Sequence, residues 1–171
     1  NPHDRLNWSL AAPRLLLAGD VPGYRVLCRR MMERFDKTRS VEEAESICKL
    51  CSLLPDSVDR AKLPSALVVE ALEKNDVPTD FPPWGYACLA LTAYREGEFE
   101  QAVRWCEQAL MCRDLHPQNA AMALVVQALA QHQLQQTQSA RQSLVSATAL
   151  VPASLLTLGP VRYDSTTSDW L

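Results

Sequence analysis

The stretch Glu98-Phe-Glu-Gln-Ala-Val-Arg-Trp-Cys-Glu-Gln-Ala-Leu-Met-Cys112 decides the fold class of this chain. Phe99, Ala102, Val103, Cys106, Ala109 and Leu110 fall at i, i+3, i+4, i+7, i+10 and i+11, the spacing of one apolar helix face. Glu98, Glu100, Arg104 and Glu107 take the other side, and Glu100 with Arg104 makes an i,i+4 pair in the favoured orientation. Gly97 in front of the stretch supplies the turn, which makes it the second member of a helix pair rather than an isolated helix.

Working outward, helix signals recur. Ser40-Val-Glu-Glu43 is a capping box, Asp20 caps a helix that starts beside Pro22, and Pro83 and Pro117 suit first-turn positions. The resulting helices are 7–18, 20–35, 41–53, 62–75, 83–96, 98–113, 117–135 and 137–150. β-branched residues nowhere alternate with polar ones for long enough to suggest a strand, so the chain is expected to be all-α.

The helices also repeat. Taking Gly97 as origin, Tyr86 and Ala90 lie eleven and seven residues before it, and Ala102 and Ala109 lie five and twelve after. The same offsets around Gly19 select Trp8, Ala12, Tyr24 and Met31, and around Gln135 they select Leu124, Ala128, Ala140 and Ala147. Gly19 to Gly97 is 78 residues and Gly97 to Gln135 is 38, so the period is 38–39. A large residue, then a small one, a turn and two further small positions allow paired helices to cross closely. With Leu89, Pro152 and Cys28, Cys106 and Leu144 at the Phe position, this pattern resembles the tetratricopeptide repeat. Tyr24 and Met31 in place of alanines, the longer period and Pro13 within the first helix depart from it. The resemblance implies a right-handed superhelix of about four helix pairs over 1–152, with pairs near 7–35, 41–75, 83–113 and 117–150. Residues 153–171 form a C-terminal tail or the start of a further repeat. The run Leu17-Ala-Gly-Asp-Val-Pro-Gly-Tyr-Arg-Val-Leu-Cys-Arg-Arg-Met-Met-Glu-Arg-Phe35 is similar to the repeat regions of planctomycete-type bacterial Ser/Thr kinases and β-propeller proteins. None of the kinase motifs is present, so this part is not expected to be catalytic.

Composition narrows the function classes. At 171 residues, 47% hydrophobic and 22% charged, the chain is one folded domain or one repeat array. A net charge of -3 argues against nucleic acid or an anionic membrane as partner, and five scattered glycines cannot build a phosphate-cradling loop. The longest mostly apolar stretch, Ala120–Leu134, is interrupted by Gln127, Gln131, His132 and Gln133 and is too short for a span of about 20 residues. The first residues do not read as a secretory signal and the domain is large enough to need no disulfide, so a reduced, cytoplasmic setting is expected. The start at Asn1 and the end at Trp170-Leu171 suggest a piece of a longer protein. Six cysteines are expected reduced, each on an inward helix stripe. Cys48-Lys-Leu-Cys51 is a CxxC without a second ligand pair, which makes Cys48 and Cys51 weak candidates for zinc or redox chemistry.

A solenoid of helix pairs offers the inner face formed by its first helices to a protein or peptide segment, including one from the same parent chain. Register nominates Trp84, Leu91, Tyr94 and Arg95 on one helix, with Ala87, and Met122, Leu129 and His132 on the next, with Val125 and Gln133. This face is apolar, with Arg95 and His132 as hydrogen-bonding groups, although Leu91 and Leu129 equally suit the core. It lacks the Lys and Asn of the family's peptide-carboxylate clamp. Arg25, Arg29, Arg30, Arg34, Lys37 and Arg39 form a basic run netting +4 against Glu33 and Asp36, read as a solvated helix face or an acidic-partner site. His3, His116 and His132 have no nucleophile or carboxylate partner suggested by spacing. The expectation is a non-catalytic protein-interaction scaffold without cofactor. The alternatives are a zinc- or redox-responsive domain and a self-association module forming homodimers.

Overall fold

The computed structural model describes residues 5–113 and 115–151. Among the described residues the regular structure is entirely helical: α1 Arg5–Leu17, α2 Val21–Arg34, α3 Val41–Cys51, a 3-10 turn Arg60–Lys62, α4 Ser65–Lys74, α5 Pro82–Glu96, α6 Phe99–Met111, α7 Pro117–Gln133 and α8 Thr137–Leu150. The tail 153–171, His3 and the chain ends lie outside the described residues. The chain divides into two compact units between Pro78 and Thr79, so that α1–α4 belong to the first and α5–α8 to the second.

The turns inside three of the pairs are built alike. Gly19, Gly97 and Gln135 all adopt positive φ, at 73°, 82° and 61°. After each, the next amide donates five residues back: Asp20 to Leu15, Glu98 to Ala93 and Gln136 to Gln131, at 2.8, 3.0 and 2.9 Å. This closure satisfies carbonyls that the ending helix leaves open, and the following helix begins one residue later. Asn75, with φ 52°, closes α4 in the same way through Asp76 and Ala71.

Local chemistry sets most helix starts. The Asp20 carboxylate accepts from the Gly23 amide at 2.8 Å, as its capping role predicts. A Cβ on Gly23 would stand 2.1 Å from Asp20 Oδ2, so a larger residue there would require the carboxylate to turn. Ser40 Oγ accepts from the Glu43 amide at 3.3 Å. The expected reciprocal bond is replaced: the Glu43 carboxylate takes the Thr38 hydroxyl, and the Ser40 amide donates to Thr38 Oγ1 at 3.2 Å. Thr38 thus bridges the capping box. Most expected helix bounds shift by one to three residues, and two of the shifts have a plain local cause. α4 starts at Ser65 rather than 62, because Leu63 precedes Pro64 and stays extended at ψ 138°. α7 stops before the left-handed Gln135. The expected Glu100–Arg104 pair does not form; Arg104 donates instead to Gln101 Oε1, at 3.1 and 2.6 Å.

Packing repeats between the units. In the first, α1 packs on α2 and α3, α2 packs on α3, and α3 packs on α4. In the second, α5 packs on α6 and α7, α6 packs on α7, and α7 packs on α8. The small positions of the repeat are where the helices meet. Ala12, Ala90, Ala102 and Ala109 are fully buried, and Ala128, Ala140 and Ala147 are nearly so. Ala93, Ala102 and Ala130 form one cluster at the junction of α5, α6 and α7, with Tyr94, Phe99, Val103 and Trp105 around it. Methyl-sized residues bring backbones together, and the flanking aromatics fill the space beside them. Tyr24 and Met31, the departures from the small-residue pattern, are also buried, at 0% and 1% exposed. Between α3 and α4 the chain takes a longer path through Ser52–Pro64, which explains why that pair repeats least clearly.

Candidate functional site

The second unit carries one helix with an open apolar strip. α7 is enclosed by α5, α6 and α8, and Asn119, Ala123, Val126 and Ala130 are buried on its inner sides. Met122, Val125, Leu129 and His132 recur every three or four residues along the remaining face. Val125 is 40% and Leu129 42% exposed, Met122 is half-buried, and His132 is exposed in the last turn. Isolated exposed leucines are ordinary, but an apolar row on a helix walled on its other sides is less so.

The expected α5 residues are placed differently. Leu91 is buried at 6% exposed and belongs to the core, because α5 is buried along almost all of Ala87–Ala93. Tyr94 is half-buried against Phe99, with ring centroids 5.7 Å apart, and the Arg95 guanidinium lies 5.4 Å from the Tyr94 ring centre. Trp84 is half-buried near the start of α5. The structure therefore gathers Met122, Leu129 and His132 on one strip, while Leu91 serves the interior. Trp84, Tyr94 and Arg95 stay accessible in part, the last two engaged with neighbours.

One residue of note escaped the sequence reading. Asn119, in the first turn of α7, is 1% exposed, and neither its amide nitrogen nor its carbonyl oxygen has a hydrogen-bond partner. An unmet buried amide costs about 1–3 kcal/mol, which sets this side chain apart from the other polar groups of α7. Only burial, which spacing does not report, singles it out. On the adjacent side of α7 the polar groups are met: Ser143 Oγ of α8 lies 2.9 Å from Gln131 Oε1 and 3.2 Å from Gln127 Oε1. The residues Thr137, Gln138, Arg141, Gln142 and Val145 line a shallow depression along α8 itself, near exposed Leu144.

Arg25, Arg29 and Arg30 of the basic run are exposed along α2, with Val26 between them. Cys28, Cys48, Cys51, Cys88 and Cys106 are buried and Cys112 half-buried, all as free thiols. Among the described residues no three His, Cys, Asp or Glu side chains are grouped to hold a metal ion. No helix among them is long and apolar enough to cross a membrane. No protein-family model matches the chain, nor does any curated protein or solved structure at a significant level.

Proposed function

We propose that the chain is a protein-interaction scaffold of tetratricopeptide type, which takes a partner segment with apolar anchors along the open strip of α7. On this reading the helix pairs stack as a right-handed superhelix, and the module is carried in a larger bacterial regulatory protein such as a Ser/Thr kinase. The observation that carries the binding role is the row Met122, Val125, Leu129 and His132 on a helix buried on its other sides. The shared turn closure and the packing pattern common to the two units support the repeat reading. A helical or extended peptide with apolar residues every three or four positions suits such a strip, and His132 at its end offers a hydrogen bond.

The test is a peptide-display selection on the chain, counter-screened with the double variant Val125→Glu, Leu129→Glu after circular dichroism has verified its helicity. Both positions are exposed enough to accept glutamate without unfolding. Enriched peptides should carry spaced apolar anchors and lose at least tenfold in affinity to the double variant. Peptides that bind both proteins equally would move the function elsewhere, first to the basic face of α2.

A further inference from the structure

Neither the repeat nor the open strip accounts for the buried thiols where α2 crosses α3. Tyr24 and Cys28 stand one turn apart on the buried side of α2, and Leu50 and Cys51 end α3. The Tyr24 hydroxyl donates to the Leu50 carbonyl at 2.6 Å and accepts from the Leu54 amide at 3.4 Å, which holds the crossing at this point. One turn along α2, Cys51 Sγ lies 4.0 Å from the Cys28 carbonyl oxygen, which sets the two cysteines side by side across the crossing. Cys28 is fully buried and Cys51 is 3% exposed. The CxxC spacing draws attention to Cys48 and Cys51, yet the cysteine whose backbone Cys51 Sγ approaches is Cys28 of the other helix.

We propose that Cys28 and Cys51 form a reversible disulfide when the protein meets a peroxide, joining α2 to α3, with Cys48 a bystander. The hydrogen bond from Cys51 holds the Cys28 thiol below its ordinary value against the opposing effect of burial, whereas that bond and burial push Cys51 up. Cys28 is therefore the attacking sulfur. Its thiolate attacks a peroxide oxygen, the O–O bond breaks, and the departing hydroxide takes a proton to become water, leaving a sulfenic acid on Cys28. Cys51 loses its proton and attacks that sulfur, forming the S–S bond and expelling the sulfenic oxygen as a second water. Two thiols are oxidised by two electrons, and one peroxide is reduced to two waters. A dithiol reverses the bond by exchange. Because the bond closes a loop across two helices, the oxidised form should melt higher than the reduced one.

Trypsin separates the three cysteines, since Cys28 falls in Val26–Arg29, Cys48 in Ser40–Lys49 and Cys51 in Leu50–Arg60. The experiment treats the Cys112→Ser protein with hydrogen peroxide under native conditions, alkylates the remaining thiols in denaturant, and maps the non-reduced digest by mass spectrometry. The expected product joins Val26–Arg29 to Leu50–Arg60, is lost on dithiothreitol treatment, and still forms in Cys48→Ala. In Cys51→Ala, dimedone should label Cys28. Linkage of Ser40–Lys49 to either other peptide, or full alkylation of all three after peroxide, would overturn the proposal without requiring any variant at positions 28 or 51 to fold.

Discussion

At the scale of single residues, the turn positions show how one backbone demand is met by different side chains. Gly97 sits at φ 82° with nothing within 4 Å of where a Cβ would be, so its value is conformational rather than steric. Gly97→Ala should cost about 1 kcal/mol, because an L side chain resists the left-handed region. Gln135 occupies the equivalent place at φ 61°, and Gln135→Gly should gain about 0.5–1 kcal/mol. Urea melts of the two variants should move in opposite directions. Cys106 makes a pH prediction. Burial, with the charge of Glu107 adding to it, pushes its thiol from the ordinary 9.0 up to about 12. Between those values the unfolded chain has released this proton and the folded chain has kept it. Stability therefore falls as pH rises from about 9 towards 12, by at most about 1.4 kcal/mol per pH unit for this group. Tyr24 and Cys51, also raised mainly by burial and a thiol hydrogen bond respectively, act in the same direction. In Cys106→Ala the alkaline decline measured by urea titration at several pH values should be shallower, and an unchanged slope would show that this thiol does not contribute.

At the scale of helices, polar contacts decide where one element lies on another. Tyr24 is fully buried and its hydroxyl ties α2 to the end of α3. Tyr24→Phe keeps the ring and leaves the Leu50 carbonyl without that donor, so it should lose about 1–2 kcal/mol in equilibrium unfolding with little change in helicity. Gln127 and Gln131 carry the comparable role between α7 and α8. In the sequence they read only as interruptions of an apolar stretch, because periodicity cannot distinguish a polar residue facing solvent from one facing a serine on the next helix. The shift of the capping-box glutamate to Thr38 has the same cause: a hydroxyl two residues before the cap competes for the carboxylate, and the motif does not include that position.

At the scale of the whole molecule, the contrast between Leu91 and Leu129 is the most informative. They occupy matching places 38 residues apart, yet Leu91 is 6% and Leu129 42% exposed. Leu91→Glu places a charge in the interior and should cost at least about 3 kcal/mol, whereas Leu129→Glu should stay within about 0.5 kcal/mol of the parent. Thermal melts followed by circular dichroism would read both, and equal effects would mean that the α7 strip is not open. The proposed binding role depends on this inequality, since a partner can only use the side chains that the fold leaves uncovered.

The all-α class, the eight α-helices of the described residues, the turn positions Gly19 and Gly97 and the small residues at the helix crossings are all legible in the sequence. Each depends on local rules: a 3.6-residue apolar period, glycine's access to positive φ, and methyl-sized side chains where backbones approach. Packing settles which members of a repeating face are covered, that Asn119 is buried, and that Cys51 lies against Cys28 of another helix. These depend on residues far apart in the chain. A periodic sequence repeats the same local instructions in every pair, and exposure is set by what each pair packs against.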